Sequence, residues 1–233
     1  MDFRDRHIVV TGGTGALGSA VVGALLEAGA SCHVPYLTEA KTQNFPHRSH
    51  PRVQLVATGT LADEAAVARL FDAVPDLWAS IHLVGGFAMS PVSETDKAAL
   101  MQQIETNLVT CFLSCRAAVR VITRGKAGGR IVNVASRPAL EWRAGAGMAA
   151  YTASKAAVAA LTTALAEEVA KDGILVNAVA PSIMDTPANR KAMPKADHAA
   201  WPKVEEVART ILFLASSDNK VTRGTIATVY GRT

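Results

Sequence analysis

Tyr151 and Lys155 stand four apart in Tyr-Thr-Ala-Ser-Lys, and Ser136 closes the run Ile131-Val-Asn-Val-Ala-Ser. Residues four apart on a helix share a face, so the Lys155 ammonium can lie near the Tyr151 phenol and favour its ionised form. A phenol with an ordinary pKa of about 10 exchanges protons near neutrality only with such help. A second group, Thr11-Gly12-Gly13-Thr14-Gly15-Ala16-Leu17-Gly18, follows a β-branched run and opens a helical pattern. Glycines there let the backbone approach a pyrophosphate, and a helix N-terminus offers free N–H groups and partial positive charge. Either signal alone is weak: tyrosine and lysine often fall four apart by chance, and glycine turns also serve conformation only. No Gly-Lys-Ser/Thr follows the turn, which excludes a kinase-like phosphate loop.

These groups need a scaffold, and hydrophobic periodicity supplies one. Strands are expected at His7–Thr11, Ser31–Tyr36, Val53–Val56, Ser80–Val84, Arg130–Val134, Ile174–Ala180 and Thr225–Tyr230. Helices are expected at Gly18–Glu27, after an Asp63 N-cap, through most of Thr95–Thr123, at Ala150–Lys171 and at Val204–Ser216. Strand–helix alternation with short continuous apolar strands implies an α/β fold, a doubly wound parallel sheet with helices on both faces. A chain of 233 residues, 49% hydrophobic and 19% charged, fits one domain over residues 1–233. Such a domain buries roughly 70 to 75% of its unfolded surface and needs neither disulfides nor a structural metal. Thr38 to Pro51 reads as a long polar loop. Pro181 to Lys203 carries four prolines and reads as a substrate lid, about residues 182–203, beyond a strand's carboxyl end.

Taken together, these motifs resemble the short-chain dehydrogenase/reductase family over nearly the whole chain. The family pattern Thr-Gly-x-x-x-Gly-x-Gly matches Thr11 to Gly18, with Ala16 for the middle glycine; Tyr-x-x-x-Lys matches Tyr151 and Lys155, and the family's serine and asparagine match Ser136 and Asn107. The resemblance implies a Rossmann-type fold and an NAD(P)-dependent oxidoreductase. In it Tyr151 is the general acid/base, Lys155 lowers the Tyr151 pKa and holds the nicotinamide ribose, Ser136 orients the substrate carbonyl, and Asn107 holds a water linking the lysine to solvent. Cofactor contacts are implied for Gly12, Thr14, Gly15, Ala16, Leu17, Gly18, Tyr36, Leu61, Val84, Gly85 and Gly86. The Asn-Ala-Val-Ala-Pro181 segment adds Pro181, Ser182 (for the usual glycine), Ile183 and Thr186, the last toward the carboxamide. The family's Asn-Asn-Ala-Gly is replaced by Leu83-Val84-Gly85-Gly86, and the aspartate usual after the third strand is missing near Thr60.

Tyr36 stands where a carboxylate would select NAD, and no arginine follows for a 2'-phosphate, so the choice between NAD and NADP is open and modest discrimination is expected; loop residues Lys41 and Arg48 are possible phosphate partners. Val84-Gly85-Gly86-Phe87-Ala88 and the stretch Asp185 to Trp201 further resemble the quinoid dihydropteridine reductases. Asn189, Arg190, Met193 and Trp201 in that lid are expected to cover a planar heterocycle or a compact carbonyl compound. Ser136, and Phe87 in place of that family's tryptophan, favour an ordinary ketone or aldehyde, with pterin reduction as the alternative. A non-catalytic NAD(P)-binding redox sensor is the reading from another class, and the full tetrad argues against it.

A formal charge of +4, from 24 Lys and Arg against 20 Asp and Glu, is too small and scattered for a nucleic-acid surface. The start Met-Asp-Phe-Arg-Asp does not read as an export signal, and Lys155, Glu167 and Glu168 interrupt the most apolar stretch, so no membrane span is expected. The 3 cysteines cannot form a closed disulfide framework. Cys32, Cys111 and Cys115 read as reduced packing residues of a cytoplasmic protein. No metal is expected: His47 and His50 read as solvated loop histidines, and His82 as a hydrogen-bonded core or pocket-edge residue. The two long central helices, rich in Ala, Leu and Val, suit a homotetramer, with a homodimer second.

Overall fold

A computed structural model describes residues 1–233. Seven parallel strands form one sheet in the order β3-β2-β1-β4-β5-β6-β7: β1 (His7–Thr11), β2 (Ser31–Tyr36), β3 (Val53–Ala57), β4 (Leu77–His82), β5 (Gly129–Val134), β6 (Ile174–Pro181) and β7 (Ile226–Val229). The order reverses between β1 and β4, which opens a crevice at their carboxyl ends. Alternation along β1 sends Ile8 and Val10 into one core and Val9 into the other, as a strand covered on both faces requires.

The first core is closed by α1 (Ala16–Glu27) and α7 (Val204–Ala215). The second is closed by α2 (Glu64–Asp72), α4 (Thr110–Gly125) and α5 (Ala149–Glu168). Helix α2 starts where Asp63 accepts from the backbone N–H groups of Ala65 (2.8 Å) and Ala66 (3.3 Å). It buries Ala66, Val67, Leu70 and Phe71, the spacing of a single helix face.

Four segments depart from the sequence expectation. β4 runs three residues earlier than Ser80, starting after a left-handed turn at Asp76, and ends at His82, so Leu83 to Gly86 are free to leave the sheet. The helical span after Thr95 is not continuous: α3 (Lys97–Ile104) passes through a π-helical turn, Glu105–Val109, into α4. The Thr38 to Pro51 segment is docked, with Thr42 and Phe45 buried and His47 Nε2 lying 3.1 Å from the Ser19 carbonyl on α1; His47 is therefore not a solvated loop residue. The lid contains helix α6 (Pro187–Ala192) and a short 3-10 turn at His198–Ala200, and a bridge between Asp185 and Lys203 closes its base.

Candidate active site

The glycine turn comes off β1 with Gly12 at φ +69°, and a Cβ there would meet the backbone of Leu83 and Val84 at 2.8 Å. A Cβ on Gly18 would strike the Gly12 carbonyl, so the turn folds tightly against the first turn of α1. That places free N–H groups of the α1 N-terminus toward the crevice, the arrangement a pyrophosphate needs. Leu17 turns its side chain into the core, leaving only its backbone for such a contact. The crevice is a cleft of 560 Å³ lined by Gly12, Thr14, Gly15, Tyr36, Leu61, Val84 and Gly85, with Lys41 at its wall.

Across the cleft stand the expected catalytic residues. Lys155, buried on α5, donates to the Val134 carbonyl at 2.8 Å, and burial pulls its pKa down to about 8. Tyr151, one turn earlier, has its pKa raised by burial, while the Ser136 hydroxyl facing it acts in the opposite direction. The resemblance led us to expect a phenol made more acidic by Lys155; in this protein burial dominates and keeps the phenol protonated. Ser136 Oγ is buried without a hydrogen-bond partner, so a donor is aimed at the space beside the phenol.

Asn107 sits in the π turn, and its amide is fully engaged. Oδ1 accepts from the Gly86 N–H at 2.9 Å, while Nδ2 donates to the Gly86 carbonyl and to Ser154 Oγ, both at 3.0 Å. The side chain thus clamps the Gly85-Gly86 strip to α5. A Cβ on Gly85 would lie 2.9 Å from Asn107 Oδ1 and 3.2 Å from Lys155 Nζ, so only glycine leaves the lysine head open to the cleft. Glycine strips on both walls, a helix N-terminus and the Lys155 ammonium directly behind Gly85 fit an extended dinucleotide.

The remaining expected residues divide into two sets. Pro181 ends β6, Ser182 Oγ donates to the Tyr230 carbonyl at 2.9 Å, and Ile183 is exposed beside them. Thr186 Oγ1 caps α6 by accepting from the Asn189 N–H, which leaves its own proton to donate. In the lid, Asn189 Nδ2 donates to the Met184 carbonyl at 2.8 Å and Arg190 pairs with Asp185 at 2.6 and 2.8 Å. Trp201 is buried and packs against His198, and Met193 is half-buried. Three of the four lid residues thus hold the lid's own shape, a role invisible without the tertiary contacts.

Phe87, weighed in the sequence only as a replacement for tryptophan, stands as a wall of the site. Its ring meets Tyr151 edge-on, centroids 5.0 Å apart, and it is 62% exposed. A large apolar residue directly after Gly-Gly was the available signal. At the other end of the cleft, Tyr36 donates to Glu39 at 2.8 Å, and Arg48 lies 3.9 Å from the same carboxylate, so Glu39 is occupied while Lys41 makes no ion pair.

The family model of the short chain dehydrogenases matches residues 6–197. The chain is 34% identical over 248 residues to the cis-4-hydroxycyclohexanecarboxylate dehydrogenase of Sinomonas cyclohexanicum, covering 98% of this chain and 96% of that protein. It is also 34% identical to the galactitol 2-dehydrogenase of Rhizobium johnstonii, over 96% of this chain and 93% of that one. Among solved structures, a short-chain type dehydrogenase/reductase from Mycobacterium ulcerans superposes with a TM-score of 0.89 at 25% identity, covering 100% of this chain and 90% of that one. With its glycine turn, parallel sheet and facing Tyr, Ser and Lys, the chain belongs to the short-chain dehydrogenase family and is an NAD(P)-dependent oxidoreductase of small alcohol or carbonyl substrates.

Proposed function

We propose that this enzyme interconverts a small ketone or aldehyde and its alcohol, with Tyr151 as the general acid/base. The observation that carries this reading is the buried, unpartnered Ser136 hydroxyl facing the Tyr151 phenol: two hydroxyl groups converge on one point, the place of a carbonyl oxygen. When bound, the nicotinamide supplies or accepts the hydride. Ser136 orients the carbonyl, and Tyr151 gives its proton to the developing alkoxide in reduction or takes it in oxidation. The buried Lys155 ammonium, which lies directly behind Gly85, would hold the ribose and stabilise the phenolate left behind. Asn107 keeps that opening in shape by fixing Gly86. The hydroxy substrates in the names of both curated relatives support the alcohol and ketone assignment. The Tyr151→Phe variant tests it: kcat with a verified ketone falls by roughly 10²- to 10⁴-fold while cofactor affinity stays nearly unchanged. Wild-type turnover in that variant would refute the role.

Quinonoid dihydropterin is the second reading, favoured by the aromatic edge that Phe87 sets beside Tyr151. Steady-state assays of the pterin against small ketones rank the two. A pterin kcat/KM above about 10⁴ M⁻¹s⁻¹ and above every ketone reverses the order. A cytoplasmic location is supported by three free, buried thiols.

A further inference from the structure

Below the catalytic residues, four side chains from three elements meet in the core. His82 ends β4, Asn133 lies on β5, and Cys111 and Cys115 occupy successive turns of α4; all four are buried. Asn133 Oδ1 is 2.8 Å from His82 Nδ1, 3.3 Å from Cys111 Sγ and 3.4 Å from Cys115 Sγ. Cys115 Sγ is 3.5 Å from His82 Nδ1, and the two sulfurs and the imidazole nitrogen all lie within 4.8 Å of one another. Outer partners fix the orientation of two of these groups. His82 Nε2 faces Ser80 Oγ at 2.7 Å, and Asn133 Nδ2 donates to Thr162 Oγ1 at 2.9 Å.

We propose that His82 Nδ1, Cys111 Sγ, Cys115 Sγ and Asn133 Oδ1 form a tetrahedral site for a thiophilic divalent cation, with Zn²⁺ as the best match. Zinc–sulfur bonds of about 2.3 Å and zinc–nitrogen or –oxygen bonds of about 2.1 Å give tetrahedral edges of roughly 3.4 to 3.8 Å. Three edges of the cluster, at 3.3, 3.4 and 3.5 Å, are already close to this, and the 2.8 Å edge must open by about half an ångström. Charge supports the same ion. Two thiolates with neutral imidazole and amide ligands cancel a divalent cation, so the filled site leaves no net charge in the core. A metal-bound histidine donates its far ring N–H to an acceptor, and Ser80 Oγ stands in that place here.

Binding breaks two S–H bonds and forms two metal–sulfur bonds. Two protons leave to solvent, and no atom changes oxidation state. The imidazole proton moves to Nε2, which then donates a hydrogen bond to Ser80 Oγ. Because the ligands are enclosed, the ion enters as the chain folds. The filled site would join α4 to β4 and β5 one turn beyond Asn107 and three residues before Ser136.

The test uses the full chain without an affinity tag, refolded under reducing conditions with Co²⁺ or Zn²⁺ and then desalted. We expect about one metal per chain, a thiolate-to-cobalt charge-transfer band and the intense visible bands of tetrahedral cobalt. X-ray absorption on the zinc form should show two sulfur neighbours at about 2.3 Å and two lighter ones near 2.1 Å. Cys111→Ala and Cys115→Ala should each lose the cobalt bands, and Cys32→Ala should keep them. Native circular dichroism with under about a tenth of a metal per chain would make the cluster a metal-free hydrogen-bond hub and overturn the proposal. Retention of metal by the Cys111→Ala/Cys115→Ala variant, or absorption data without sulfur neighbours, would overturn it as well. The absorption experiment needs no variant, so it decides even if a cysteine variant fails to fold.

Discussion

Lys155 illustrates what one proposed catalytic residue costs the fold. Its ammonium is buried and its pKa falls from 10.5 to about 8, so below pH 8 the folded protein bears a charge that the unfolded chain would keep in water. Between pH 8 and 10.5 the unfolded state binds more protons, and by linkage stability rises with pH across that window. Lys155→Met is therefore expected to abolish turnover and, at pH 7, to stabilise the protein by on the order of 3 kcal/mol, a gain that fades as pH approaches 10.5. Denaturant titrations at several pH values measure this. The same residue shapes the rate profile. Tyr151 stays protonated because burial raises its pKa, so ketone reduction should hold steady below pH 8 and decline as the Lys155 charge is lost above it. At the far end of the cleft, Lys41 is the unpaired cation while Glu39 is held by Tyr36. Lys41→Ala should weaken NADP(H) binding about tenfold, roughly 1.4 kcal/mol, and leave NAD(H) nearly unchanged, as titration of both reduced cofactors would show.

At the scale of elements, the short strip after β4 is the most constrained part of the site. Leu83 to Gly86 leave the sheet, pass beneath Gly12 and are caught by Asn107 from the π turn between α3 and α4. A π turn is a common device for presenting a side chain from within a long helix, and here it brings an amide to a backbone segment on another element. Gly85→Ala should therefore cut kcat by at least tenfold, about 1.4 kcal/mol in the barrier, with a smaller change in melting temperature. The added methyl would sit against Asn107 Oδ1 and Lys155 Nζ, displacing side chains rather than core. If Gly85→Ala kept full activity with unchanged cofactor affinity, this account of the strip would fail.

For the whole molecule, several outer helix faces carry exposed apolar side chains. Phe112 on α4 and Met101 on α3 are about half exposed, and Trp142, 73% exposed, borders a 440 Å³ groove along Gly145, Ala149, Ala153 and Ala156 on the α5 side. Small residues along a helix face allow a second helix to approach closely, which suits a two-fold symmetric contact. A homotetramer is expected, with a dimer second. Light scattering that finds only the 24.4 kDa chain would exclude both. Phe112→Asp should shift the assembly toward smaller species, which sedimentation would detect.

Strand and helix alternation, the Gly12 to Gly18 turn and the Tyr151/Lys155 spacing were legible in the sequence because they are local. Period-two burial, backbone sterics and helix pitch act over a few residues. The Asp63 cap was read from its own neighbours in the same way. The early start of β4, the π turn and the structured lid were not, because contacts from elsewhere in the chain decide them. Leu83 and Val84 look like strand residues, yet β4 ends at His82 and Asn107 catches the following Gly86, and Asn189 and Arg190 look free until Met184 and Asp185 engage them. Distance along the chain also hid the meeting of His82 with Cys111, Cys115 and Asn133, which no spacing rule links. The sequence by itself determined the fold class and supplied the proposed reacting groups. Tertiary burial decided their protonation, raising Tyr151 and lowering Lys155, because desolvation depends on everything packed around a group and not on its neighbours in sequence.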